Sequence, residues 1–358
     1  MHPSPYHNSG PFEALLGPLA RAEDSVSRFD EHTRTRLAEG LNGRLQFQEA
    51  CAWAWNCGEL VHLEDLVLHD NWLDIRTPDP ELTRAHAMLL IWRRAGGLKP
   101  AKLLSSEGVL RLIEPVRGGR PSLSPPPMLV SHRTSRGRSA LDVDAEPYAA
   151  RDLDPRNPID AVISQAEGVT TDDNAEALVA WFGLERRLPG KWPALLRAAV
   201  LAEAWAIIDP LPRHSYLGGV LVNALLLRDR RLRHHRLSIE LGRRSLARGG
   251  QRRPEGQPGV LRTAWWLRAF TAAAETAQSE FYRLSLAHQI VSRNLTGRRA
   301  TSRLGDVIDL FARKPLVTAP MIAQHLKISQ QAARTLVRGL GGGVSEMTGR
   351  SRFQAWRL

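Results

Sequence analysis

Apolar residues recur at three- and four-residue spacing through most of the chain, and runs of alternating β-branched residues are almost absent. On a 3.6-residue turn that spacing stacks side chains on one face, whereas a half-buried strand needs a period of two. The pattern predicts an all-α protein. Asp79 and Pro80 supply a cap and a first-turn proline for a helix through Leu82, Ala85, Leu89 and Trp92, ending at Gly96 and Gly97. Thr171, Asp172 and Asp173 open another, which Gly183 is expected to close. The most apolar stretch, Trp192 to Leu227, is broken at Asp209-Pro210-Leu211-Pro212, which predicts two helices separated by a loop. A basic segment ends in a loop from Gly249 to Gly259, and a long helix is expected from Leu261 to about Val291.

The periodicity fails between Pro115 and Pro158, where Arg117-Gly118-Gly119-Arg120-Pro121, Pro125-Pro126-Pro127 and a serine-mixed Arg133 to Arg138 read as a linker or long excursion. Gly119-Arg120-Pro121 is similar to the core of a minor-groove hook, but a glycine displaces its preceding arginine. The expected organisation is an N-terminal helical region (1–114), the linker (115–158), a helical core (159–297) and a C-terminal module (298–358).

In the C-terminal module Leu304, Val307, Ile308, Leu310 and Phe311 share one helical face that Lys314-Pro315 ends. A second helix follows Thr318 and runs to Leu326; after a corner at Lys327 and Ile328, a third starts at the cap residue Ser329 and proceeds through Ala333, Leu336, Val337 and Leu340. That is the layout of a helix-turn-helix, with small Ala323 at the crossing and Lys327 where a glycine is frequent. Gln330, Gln331, Arg334, Thr335 and Arg338 would face a major groove, where glutamine and arginine can pair with base edges. Beyond Gly341-Gly342-Gly343, the segments Val344 to Met347 and Phe353 to Trp356 predict the β-hairpin wing of a winged helix, with Arg350 and Arg352 near its tip.

Charge strengthens this reading. The 358-residue chain carries a net charge of +12, concentrated in two blocks. Arg228 to Arg253 holds ten arginines against Asp229 and Glu240, and Arg298 to Leu358 is again at +8. Such blocks fit a phosphate-bearing partner, so double-stranded DNA is the expected ligand. With 43% apolar residues, no apolar run near the roughly 18 to 20 residues of a membrane span, and no signal-peptide pattern in Met1 to Phe12, a cytoplasmic protein without membrane contact is expected. Cys51 and Cys57 read as two buried thiols rather than a disulfide or zinc site.

The apolar helix Ala198 to Ile208 leads into Asp209-Pro210-Leu211-Pro212-Arg213-His214-Ser215-Tyr216-Leu217-Gly218-Gly219-Val220, followed by the leucine-rich Leu221 to Leu227. From Asn42 to Leu358 this order of elements resembles Fic-domain proteins with a C-terminal winged helix, nucleotidyl transferases that move AMP from ATP onto a protein hydroxyl. Their loop reads His-Pro-Phe-x-Asp-Gly-Asn-Gly-Arg-x-x-Arg. The resemblance implies a Fic-like helical core, but it puts Asp209 at the catalytic base, Arg213 at the acidic metal ligand, His214 and Ser215 in the phosphate-cradling nest, and Leu217 and Val220 at the phosphate-binding arginines. Upstream, where many members carry an inhibitory Ser-x-x-x-Glu-Gly helix, Trp53-Ala54-Trp55-Asn56-Cys57-Gly58 keeps only its glycine.

His214-Ser215 lacks nucleophile-elbow glycines, and the pairs His62 and His69 and His234 and His235 lack a third ligand at metal spacing, so no catalytic residue, metal or cofactor is expected. The sequence points to a DNA-binding transcriptional regulator, a homodimer by habit of such proteins, whose degenerate Fic-like body serves dimerisation or effector sensing. Two alternatives stand beside it. One is a divergent Fic-type nucleotidyl or phosphoryl transferase using Asp209, His214 and the first basic block; the other is a module that binds another protein.

Overall fold

The computed structural model describes residues 13–32, 34–35, 37–73, 77–114, 157–293, 303–347 and 354–358. The segment expected to be a linker, apart from Asn157 and Pro158, and Arg350 and Arg352, expected near the wing tip, lie outside them. The described chain is all-α except for a small C-terminal sheet. The N-terminal helices are α1 (Glu13–His32), α2 (Ala38–Asn56), α3 (Leu63–Asp70), α4 (Pro80–Gly96), the single turn α5 (Pro100–Leu103) and α6 (Ser106–Ile113). Past the linker come α7 (Pro158–Glu167), α8 (Asn174–Arg187), α9 (Ala194–Ile208), α10 (Leu217–Arg228), α11 (Ile239–Arg248) and α12 (Gly259–Arg293). The C-terminal module comprises α13 (Leu304–Arg313), β1 (Val317–Thr318), α14 (Ala319–Leu326), α15 (Gln330–Gly339), β2 (Ser345–Glu346) and β3 (Ala355–Arg357).

Local chemistry sets most boundaries. The Asp79 carboxylate accepts the Leu82 amide at 2.7 Å and Pro80 fills the first turn, which starts α4. Asn157 with Pro158 does the same for α7, and Asp173 caps α8. One expected stop is overridden: Gly183 lies inside α8, which continues to Arg187. A lone helical glycine costs only about 1 kcal/mol relative to alanine, and the turn it opens buries Leu184. The helix ends instead at Leu188, held extended ahead of Pro189.

Helices α9 and α10 are apolar around most of their circumference and form the centre of the body, while the 35-residue α12 is its spine, with α1, α11, α9 and α7 laid against it. Among the described residues no helix is long and apolar enough to cross a membrane. Cys51 is buried as expected, but Cys57 is exposed, because α2 ends at Asn56 and leaves it in the following turn.

The C-terminal module is docked on the body through α2. Arg44, fully buried, donates from Nε to the Ala312 carbonyl at 3.1 Å and from Nη2 to the Phe311 carbonyl at 2.7 Å, while Nη1 reaches Glu280 of α12 at 3.3 Å. Burial pushes its pKa down to about 10, with Glu280 opposing the shift. Gly40 and Gly43 make the approach possible: a Cβ on either would stand 2.5 or 2.6 Å from the Ala312 or Arg313 carbonyl oxygen. The sheet runs in the order β1-β3-β2, all antiparallel, pairing Val317 with Trp356 and Ser345 with Arg357. The β2-β3 hairpin is the expected wing; β1 is only two residues long and its second residue, Thr318, is the cap of α14, so it has no periodicity from which it could be read.

Replacing Arg44 with methionine leaves the Phe311 and Ala312 carbonyls without their donor and Glu280 with Arg283 as its remaining cation, so unfolding in denaturant should show a loss of about 1 to 3 kcal/mol.

Candidate functional site

The helix-turn-helix of the C-terminal module is built from two caps. Thr318 accepts the Met321 amide at 3.4 Å to start α14, and Ser329 accepts the Ala332 amide at 3.2 Å to start α15. Between them Lys327 adopts the left-handed conformation (φ 52°, ψ 51°) that glycine takes at lowest cost, and the Ile328 amide returns to the Ala323 carbonyl at 3.0 Å. Ala333 and Val337 face the module core, which turns Gln330, Gln331, Thr335 and Arg338 outward as exposed side chains. Arg334 is half-buried. The Thr335 hydroxyl donates to the Gln331 carbonyl at 3.1 Å, which ties it to its own helix.

The first basic block is mostly committed inside the molecule. Arg228 pairs with Glu185 and Asp229, Arg231 with Glu23, Arg233 with Asp30, and Arg243 with Glu240. Arg253 grips the fully buried Glu203 with Nε and Nη2 at 2.9 and 2.8 Å; Trp266 Nε1 and Arg262 complete that carboxylate's shell. Arg244 and Arg248 lie over the Trp55 ring at 5.7 and 5.8 Å. A run of arginines along the chain is therefore not a run of free charge on the surface.

The loop joining α9 and α10 brings the second set of candidates together. Asp209 ends α9 in the left-handed conformation (φ 44°), its amide donating to the Trp205 carbonyl at 2.9 Å; its carboxyl stays exposed and partial burial raises its pKa. Pro210 is buried, Pro212 to His214 make one tight turn, and Arg213 points to solvent. Ser215 Oγ accepts from Trp53 Nε1 at 3.2 Å, and its carbonyl accepts from Trp205 Nε1 at 3.0 Å. His214 Nδ1 lies 3.0 Å from the Tyr216 hydroxyl, and burial followed by the Arg213 charge lowers its pKa. The end of α2 thus packs on this loop, with Trp53 edge-on to Tyr216, and also on α11, where Asn56 Nδ2 donates to the Glu240 carboxylate at 2.7 Å. Sequence spacing could place Trp53 to Gly58 upstream of the loop but could not reveal that two indole N–H groups hold Ser215.

Leu217 and Val220, on the first turn of α10, are fully buried. Among the described residues, no group of three His, Cys, Asp or Glu side chains is placed to hold a metal ion.

Residues 304–358 match the family described as HTH DNA binding domain, and residues 170–296 match a family described as Protein of unknown function (DUF1612). A relative in Sinorhizobium fredii (strain NBRC 101917 / NGR234), the uncharacterized protein y4cF, is 34% identical over 384 aligned residues, covering 96% of each chain. The chain belongs to the y4cF family. The match covers both chains almost end to end, across the segments that form the body and the C-terminal module here. Among solved structures, a Fic family protein from Desulfovibrio desulfuricans G20 aligns over 100% of this chain and 97% of its own at 13% identity, with a TM-score of 0.43. That degree of likeness defines neither an activity nor a ligand.

Two outcomes test the loop geometry. Ser215→Ala leaves the buried Trp53 N–H without its acceptor and should cost about 1 to 3 kcal/mol in denaturant unfolding. His214 has a folded pKa below its unfolded value, so its contribution to stability is complete above about pH 6.5 and is lost as pH falls through the folded pKa. A His214→Asn variant should show a flatter dependence of stability on pH across that window.

Proposed function

We propose that the chain is a sequence-specific DNA-binding protein acting as a cytoplasmic transcriptional regulator, with its winged helix reading the operator. The observation that carries this reading is the outer face of α15. Gln330, Gln331, Thr335 and Arg338 project from a capped helix start, beside the half-buried Arg334, in a segment that matches an HTH DNA binding domain. Glutamine and arginine at the start of a recognition helix can each make two hydrogen bonds to one base edge. Arg350 and Arg352, at the wing tip, would reach phosphates.

The body, in this reading, is catalytically degenerate and serves regulation. Apolar, buried Leu217 and Val220 stand where the Fic resemblance would need phosphate-binding arginines, and Arg213 stands where it would need a metal-binding carboxylate. Dimerisation is supported by a stripe on α12, where Tyr282, Leu286 and Ile290 recur every fourth residue and are 60%, 60% and 44% exposed. A two-fold dimer would match a palindromic operator.

Genomic fragments retained by the purified protein at about 150 mM salt, where purely electrostatic binding weakens, should share one recurrent motif. Alanine at Arg334 or Arg338 should cost about 1 to 3 kcal/mol in DNA affinity. Unchanged affinity in the double variant would remove the assignment. A thermal shift with ATP and magnesium would restore the transferase reading.

A further inference from the structure

A cavity of about 270 Å³ opens between α2, α4, the turn at α5, α10 and the segment before α11. It includes no residue of the 209–216 loop and lies toward the opposite end of α2 from Trp53. One wall is apolar, formed by Val220, Ala224 and Leu227 of α10. The other carries Arg93, His234, His235 and Arg236, with the amides of Asn42 and Gln46, and among the described residues no carboxylate lines it.

Arg236 is the anomaly. Burial lowers its pKa to about 10; its guanidinium lies over the Trp92 ring at 5.1 Å and donates to the Trp92 carbonyl at 2.6 Å. Gly96 makes room for it, since a Cβ there would collide with Nη2. Yet among the described residues no carboxylate stands within ion-pairing distance of it, whereas the buried Arg44 and Arg262 each have one. Beside it the buried Nδ1 of His235 has no hydrogen-bond partner. A half-buried cation without a counter-ion is still disfavoured relative to water, and such a site favours an anion that supplies the missing charge.

We propose that this cavity is an effector site for a small organic oxyanion, its carboxylate or phosphate head against Arg236 and His235 and a short aliphatic body against α10. The volume falls below the roughly 300 to 1,000 Å³ usual for larger ligands, which suits a small metabolite rather than a nucleotide. The regulatory half of this proposal rests on the DNA-binding reading. Arg93 lines the cavity and accepts no second role lightly: Nε donates to Gln46 at 3.2 Å, and Nη1 and Nη2 clasp Asp70 at 2.6 and 3.1 Å. The same Asp70 carboxylate lies 3.8 Å from Lys314 Nζ, at the exit of α13 in the C-terminal module. Phe47 is flanked by both cations, at 5.1 and 5.7 Å. An anion that draws on Arg93 changes how strongly Asp70 holds Lys314, and so biases the docking of the reading head.

The test is calorimetric titration of the full-length protein with two probe series, straight-chain carboxylates from acetate to octanoate and the matching alkyl phosphates. Saturable binding by one series identifies the head group; saturation by both supports the shared oxyanion chemistry; saturation by neither at millimolar concentration overturns the site. Binding should be lost in Arg236→Gln and weakened at least about tenfold in His234→Glu, which places a carboxylate on an exposed position and leaves the interior untouched. Binding that survives both variants overturns the site. The bound probe should shift DNA affinity by about fivefold or more, and Lys314→Met should abolish that shift while probe binding persists. Probe binding with no shift overturns the coupling alone, and failure to bind DNA at all removes the regulator reading without touching the site.

Discussion

A guanidinium taken wholly out of water must find its counter-charge and hydrogen-bond acceptors inside the protein, and Arg44 finds them on two elements at once. Glu280 provides the negative charge from α12, and the last carbonyls of α13 provide the acceptors. Those carbonyls lack partners within their own helix and form the negative end of its dipole, so a buried cation is the side chain they match best. Around this contact Arg283 adds bonds from α12 to Glu280 and to the Leu358 carbonyl, at the chain's last residue. The C-terminal module is consequently held to the body by polar groups whose partners inside the protein are lost if it leaves.

The same physics redistributes the positive charge. Glu23 and Asp30 on α1, Glu185 on α8 and Glu203 on α9 are far in sequence from the arginines they neutralise. Counting charge along the chain treats each arginine as solvated, whereas folding brings distant carboxylates to most of the first block. The outward face of α15 escapes this because its helix turns Ala333, Leu336 and Val337 to the interior and no ion pair with Arg334 or Arg338 forms among the described residues. Position on the fold, more than the number of basic residues, decides which of them can meet a phosphate.

This contrast also explains what was legible in advance. Helices announced by a capping side chain and a proline, such as those after Asp79 and Thr318, could be placed from sequence because the signal is local. The helix-turn-helix was readable for the same reason, from Ser329, the corner at Ile328 and the alternation of inward and outward positions. The glycine at 183 misled because burial of the next turn outweighs a small backbone penalty. Cys57 misled because it sits one residue beyond a helix end whose position depends on packing. The hold of Trp53 on Ser215 and the clasp of Arg93 on Asp70 join residues 162 and 23 positions apart, and no spacing rule encodes them or the isolation of Arg236.

The spine helix α12 gives the fixed docking a geometric meaning. At about 1.5 Å per residue its 35 residues span about 50 Å, more than a full turn of B-form DNA. A reading head on a tether can swing to follow half-sites that are moved apart, at the cost of entropy alone. A head bolted to the end of a long helix carries its position with the body. If two copies pair as proposed, the body would act as a calliper: inserting half a helical turn between two half-sites would place the second on the far side of the duplex, out of reach of side-chain adjustment.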